Sequence, residues 1–137
     1  MIEHLIIAYL NSDVALDALL NVTGTDTKIY PAQMPHGTDT PFITYEVSSD
    51  GTTEENLREI TMGFNIAADT YSTVNSIRNK LSDMLDRQDE IQGLIPDATY
   101  FIYWGKKVGG SDSKDSDLDQ FNKRLTFNFK YMPKVLP

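Results

Sequence analysis

The chain is 137 residues long, which suits one domain and, at that size, burial of roughly two thirds of the surface an unfolded chain exposes. It has no cysteine, which excludes disulfide staples, zinc–thiolate sites and thiol redox chemistry. A formal net charge of −8 argues against a surface that grips phosphate backbones, because such surfaces cluster Lys and Arg.

Ile2, Leu5, Ile6, Tyr9 and Leu10 recur at helical spacing and predict a first helix over residues 2–10. The apolar run within it is too short for a signal core, is preceded by the acidic Glu3 and is followed by no small-residue cleavage site. No stretch reaches the length of a membrane span. Ser12 or Asp13 caps a second short helix, with Val14, Leu16, Leu19 and Leu20 as its buried side and Gly24 as its terminator. Lys28-Ile29-Tyr30 reads as a short strand closed by Pro31. From Pro31 to Pro41 the prolines and Gly37 specify a surface loop.

The central unit follows. Phe42 to Val47 alternates as a strand with Ile43, Tyr45 and Val47 on one face. Ser48 to Glu55 is small, polar and acidic and reads as a turn. Glu59 to Ala68 alternates again, with Ile60, Met62, Phe64, Ile66 and Ala68 on one side and Thr61, Gly63, Asn65 and Ala67 on the other. Asp69, Thr70 or Ser72 caps a helix whose apolar stripe is Val74, Ile77, Leu81, Met84 and Leu85. A two-stranded ribbon is not stable alone, so the stripe is expected to lie across its apolar side.

Arg87 to Ala98 is a polar connection, and Tyr100 to Val108 an aromatic-rich strand with Tyr100, Ile102 and Trp104 opposite Phe101 and Tyr103. In the last strand, Phe121 to Met132, the residues Phe121, Leu125, Phe127, Phe129 and Tyr131 face one way, with Lys123 breaking the row. Between these strands, Gly109 to Gln120 is glycine-initiated and aspartate-rich and is expected to be an unstructured loop. Together the elements give an α+β fold: a mixed or antiparallel sheet of about four to five strands, packed on one side by a main helix at about 72–87 plus the N-terminal helices. Residues 1–137 are expected to form a single domain.

The search for chemistry finds no catalytic constellation. His4 lies beside an apolar helical face and His36 in the proline loop, far apart in sequence. There is no nucleophile elbow, phosphate-cradling glycine loop or His-Glu-x-x-His pattern. Asp115, Asp117 and Asp119 resemble the start of a calcium loop, but Gln120 stands at the glycine position and Thr126 at that of the bidentate glutamate. The expectation is therefore a chain without catalysis, cofactor or metal, built for binding or assembly. A small enzyme or ligand-binding domain using the aromatic strand as a pocket wall is the alternative from another class.

The order of elements resembles the tail terminator (tail completion) proteins of long-tailed bacteriophages, of the lambda type. The resemblance rests on Ile29-Tyr30-Pro31, on Thr40-Pro41-Phe42-Ile43-Thr44-Tyr45-Glu46, on Phe64-Asn65-Ile66-Ala67-Ala68-Asp69-Thr70-Tyr71 and on Arg124-Leu125-Thr126-Phe127-Asn128-Phe129. Ala67 and Asn65 depart from the aromatic and acidic residues usual there. The resemblance implies a ring, typically of six copies, that caps the tail tube and meets the head connector, with DNA passing through its lumen. It implies as partners the chain itself, the tail tube protein and the head completion protein, with no membrane. The implied location is the head-proximal end of the virion tail, after assembly in the host cytoplasm. Another head–tail joining or tube subunit is the nearest alternative. Candidate interface residues are Asp50, Thr52, Glu54 and Glu55 in the acidic turn, Asp112, Asp115, Asp117 and Asp119 in the long loop, and the basic residues Arg58, Lys106, Arg124 and Lys130.

Overall fold

A computed structural model of the chain describes residues 2–22, 27–32, 40–54, 57–87, 100–115 and 120–133. The N-terminal apolar spacing folds as α1 (Ile2–Asn11), burying Ile2, Ile6, Ile7 and Leu10. Asp13 then caps α2 (Val14–Leu19), its carboxylate accepting the Leu16 N–H at 2.8 Å. Leu16 and Leu20 are buried, whereas Val14, expected inside, is 81% exposed. A helix of this length turns only one narrow stripe inward, and residues four apart define it. Gly24 lies outside the described residues; the left-handed residue that closes α2 is Asn21, at φ 56°. Val22 N–H bonds to the Asp17 carbonyl at 3.0 Å and Asn21 N–H to that of Ala18 at 3.2 Å, a Schellman closure that Asn tolerates.

The remaining elements are β1 (Ile29–Pro31), β2 (Phe42–Glu54), β3 (Leu57–Ala68), α3 (Tyr71–Leu85), β4 (Tyr100–Asp115) and β5 (Gln120–Pro133). The strands form one sheet in the order β1-β2-β3-β5-β4. β1 runs parallel to β2, and the other neighbours are antiparallel. This is the α+β fold expected, with a mixed sheet.

Register puts the rows that build the core on one face. Met62 pairs with Val47 on one side and Phe127 on the other, and Phe64 likewise pairs with Tyr45 and Leu125. Phe64 and Phe127 meet edge to face, ring centroids 5.9 Å apart. The stripe Val74, Ile77, Leu81, Met84 and Leu85 is buried in full. Thr70 caps α3 by accepting the Thr73 N–H at 3.2 Å. The helix does not lie across β2 and β3 as expected. It packs on β3, β5 and β4, because β5, supplied from far along the chain, inserts beside β3 and widens the apolar floor. Residues of α1 and α2 join the same cluster with Ile29 and Ile43.

Two expected connections are strand. Pairing of β2 with β3 continues to Glu54 opposite Leu57, so Ser48 to Glu54 is not a turn. Register shifts between Val47 and Ser49 and between Thr52 and Glu54 take up the irregularity. Pairing of β4 with β5 likewise continues to Asp115 opposite Gln120, so Gly109 to Asp115 is not an unstructured loop. In both places ladder hydrogen bonds, which need no apolar side chain, carry a ribbon beyond the reach of apolar alternation. Residues 116–119, the rest of that expected loop, lie outside the described residues. A shift between Ile102 and Trp104 pairs the first with Tyr131 and the second with Lys130, so the alternation read through Tyr100, Ile102 and Trp104 is broken.

β4 is tied to the end of α3. Gly105 N–H donates to the Arg87 carbonyl at 3.0 Å and Lys107 N–H to Asp86 Oδ1 at 3.1 Å. A Cβ at Gly105 would overlap the Leu85 carbonyl oxygen and come within 2.8 Å of Phe129 Cε1. Backbone cannot give way as a flexible side chain can, so Gly105→Ala should destabilise the fold by about 1–3 kcal/mol in urea denaturation.

At the other end of the helical layer Asp13 also faces Lys80 Nζ at 3.4 Å. The Leu16 N–H bond, aided by Lys80, holds the Asp13 carboxyl below its usual value. A depressed folded pKa gives stability that is complete above the unfolded value, about 3.9, and is lost as pH falls through the folded one. Asp13→Ala should therefore cost about 1 kcal/mol at pH 7. That deficit should shrink in denaturation curves taken at progressively lower pH below 4.

Candidate assembly interface

The sheet face away from the core is polar. In register it carries Thr44 and Glu46 from β2, Thr61, Gly63 and Asn65 from β3, and Asn122, Arg124, Thr126, Asn128 and Lys130 from β5. Phe42 and Ala67, opposite each other, are its buried apolar members. Hydrogen bonds run across the strands here: Thr61 Oγ1 lies 2.6 Å from Asn128 Oδ1, and Arg124 Nη2 pairs with Glu46 Oε1. Gly63 makes that ion pair possible, because the guanidinium lies over the space a Cβ would fill. The two charged side chains are 36% and 43% exposed, which keeps the pair weak.

The sequence-predicted interface residues separate into three places. Asp50, Thr52 and Glu54 stand on the distal half of β2, opposite Ile60, Arg58 and Leu57. Arg58 is exposed beside them, while Glu55 lies outside the described residues. Asp112 and Asp115 stand on the distal half of β4, opposite Lys123 and Gln120, and Asp117 and Asp119 lie outside the described residues. Lys106, opposite Asn128, belongs with Arg124 and Lys130 on the polar face. The fold thus groups Lys106, Arg124 and Lys130 on one face, leaves Arg58 with the β2 acids, and puts the two acidic groups at different corners.

Sequence reasoning missed one feature. Arg78 on α3, Asp86 just beyond it, Lys107 to Ser111 on β4, and Lys123 and Leu125 on β5 line a groove of about 410 Å³. These residues come from three separated stretches, and no spacing in the chain announces them. Lys123, which interrupts the apolar row of β5, donates to Asn75 Oδ1 at 3.4 Å and lies 5.9 Å from the Tyr71 ring centroid. Among the described residues no group of three or more His, Asp or Glu side chains is placed to hold a metal ion.

These features define a two-layer α+β domain with one sheet face outside the core and a charged groove at its rim. In fold the chain is similar to a chain in the solved virion of a native gene transfer agent particle. The TM-score is 0.69 at 16% identity, over 94% of this chain and 92% of that one. At that identity the likeness is one of fold. No family model and no curated protein matches the chain.

If the polar face is a surface and not framework, Arg124→Ala should change unfolding free energy by no more than about 1 kcal/mol. A loss well above that in thermal or urea unfolding would make Arg124 part of the monomer's own scaffold.

Proposed function

We propose that this chain is a structural subunit of a phage-like particle and acts as its tail terminator. In this reading several copies, typically six, close into a ring on the end of the tail tube. The ring stops tube polymerisation and offers its other side to the head completion or connector protein. The work is done by surfaces and involves no bond-making chemistry. The protein then resides at the head-proximal end of the tail and, during assembly, in the host cytoplasm.

One observation carries the reading: the fold likeness to a virion-particle chain spans nearly the whole of both chains. The segments from Thr40 to Glu46, Phe64 to Tyr71 and Arg124 to Phe129, which resemble the terminator pattern, support the terminator role in particular. They lie in β2, in β3 leading into α3, and in β5. The net charge of −8 suits a lumen through which DNA slides without sticking. A ring also needs two different patches per subunit, and the separated charged corners supply candidates.

Negative-stain electron microscopy of the purified chain mixed with free tails and tailless heads tests the proposal. Single rings on tube ends, and joining of heads to tails only when the chain is present, are expected. Long cylinders of the chain alone would make it a tube subunit instead, and tails left bare would overturn the terminator role.

A further inference from the structure

Both margins of the sheet are covered only in part. β1 pairs with Ile43 to Tyr45, so the outer edge of β2 from Glu46 to Glu54 has no strand partner among the described residues. On the other margin Arg87 and Asp86 accept the N–H groups of Gly105 and Lys107. Beyond them the outer edge of β4, Val108 to Asp115, likewise has no strand partner among the described residues. Unpaired backbone of that length is a template for another strand, and main-chain groups recruit it whatever the side chains.

The ladders fix which groups point outward. Ile43 N–H points out to the Lys28 carbonyl at 2.9 Å, and residues two apart on a strand point alike. The shift after Val47 adds one residue, so the outward groups on β2 are those of Val47, Asp50 and Thr52. On β4, Gly105 and Lys107 point outward, and the shift before Gly109 makes Gly110, Asp112 and Lys114 the next. Run antiparallel, the two sets match: Val47 with Lys114, Asp50 with Asp112 and Thr52 with Gly110. A slip of two residues one way sets Lys114 against Tyr45, which β1 covers. The same slip the other way carries Val47 past the end of β4.

Direction and offset also suit closure. β4 and β3 both run antiparallel to β5, and β2 antiparallel to β3, so a like-oriented neighbour brings its β2 antiparallel to β4. Through the ladders Asp50 is level with Phe129 of β5 and Asp112 with Lys123, six residues apart. Six residues rise about 20 Å, against about 19 Å across the strands β2, β3, β5 and β4, which is a tilt of about 45°. Closed barrels tilt their strands by up to about that angle. The crossover from β3 through α3 to the parallel β4 is right-handed. It places the two open edges at the corners that the strand twist of a barrel brings together when α3 faces outward.

We infer that the outer edge of β2 in one copy adds to the outer edge of β4 in the next, joining the sheets of all copies into one closed barrel. The helices then lie outside, and the face carrying Thr44, Glu46, Asn65, Arg124 and Asn128 lines the channel. The inference rests on the ring reading above and names the contact that holds that ring.

In this register Ser49 and Ser113 form a pair without mutual hydrogen bonds, Cα atoms about 4.5 Å apart and within disulfide range. The chain has no cysteine of its own, and within one subunit β3 and β5 separate the two positions. S49C and S113C chains, mixed under mild oxidation at high protein concentration, should give a heterodimer about tenfold above either homodimer. The off-register mixture of S49C with S111C should stay at the homodimer level. Asp112→Pro in the S113C chain should abolish the link with an unchanged melting curve, because the N–H it removes points out of the monomer's ladder. Thr52→Pro in the S49C chain asks the same of the other edge should the first variant fail to fold. Asp112→Asn should strengthen the link, since it removes a like charge opposite Asp50. Heterodimer no more abundant than homodimer, or a link that survives a folded proline variant, overturns the edge pairing. If rings still cap tube ends in that case, the terminator role survives and only this contact is wrong. If the link forms but yields open fibres that never close, the contact stands and the terminator role falls.

Discussion

One apolar plane organises this protein: the floor made by alternate residues of β3 and β5, closed from above by the stripe on α3. Met62, Phe64, Phe127 and Leu125 are fully buried, as are Ile77, Leu81 and Leu85 facing them. Side chains on a strand alternate strictly, so a slip of one residue between β3 and β5 would turn this whole set outward. The register is therefore held by many side chains at once. Each such side chain contributes roughly 1.5–3 kcal/mol of burial, far more than any exposed ion pair on the opposite face. Hence the core can dictate geometry while the polar face stays free to vary.

From that plane the rest follows by extension. α1 and α2 continue the helical layer toward β1 and are clamped to α3 by Asp13 with Lys80 and by the Tyr9 hydroxyl, 3.5 Å from the Met84 carbonyl. At the other margin β4 is pinned by Arg87 and Asp86, and the close approach there leaves room only for glycine at position 105. Beyond the helical layer the β2–β3 and β4–β5 ribbons continue on backbone hydrogen bonds. They carry Asp50, Glu54, Asp112 and Asp115, since nothing apolar is required of them.

This division suits the assembly role proposed above. The two-layer body fixes where the ribbons and the rim groove stand, and in the proposed ring many copies would multiply any weak, directional contact. Charge on ribbons and rim governs which surfaces meet and how fast, whereas the apolar plane governs whether there is a subunit to meet.

The sequence by itself determined the elements that touch the core. The stripe of α3, the alternation of β3 and β5 and the α+β class are written in local spacing, because burial imposes a period on the residues that undergo it. The choice of Asp13 over Ser12 and of Thr70 over Asp69 and Ser72 as caps, by contrast, came from the structure. Tertiary structure alone decided where apolar period was absent. Ser48 to Glu54 and Gly109 to Asp115 read as turn and loop, yet ladder partners held them as strand. Placement of β5 between β3 and β4 moved α3 off β2, and the groove of Arg78, Lys107 and Lys123 exists only because distant segments converge. Charged side chains at a rim are free of any spacing rule, so what such a surface binds is set by which strands the fold makes neighbours.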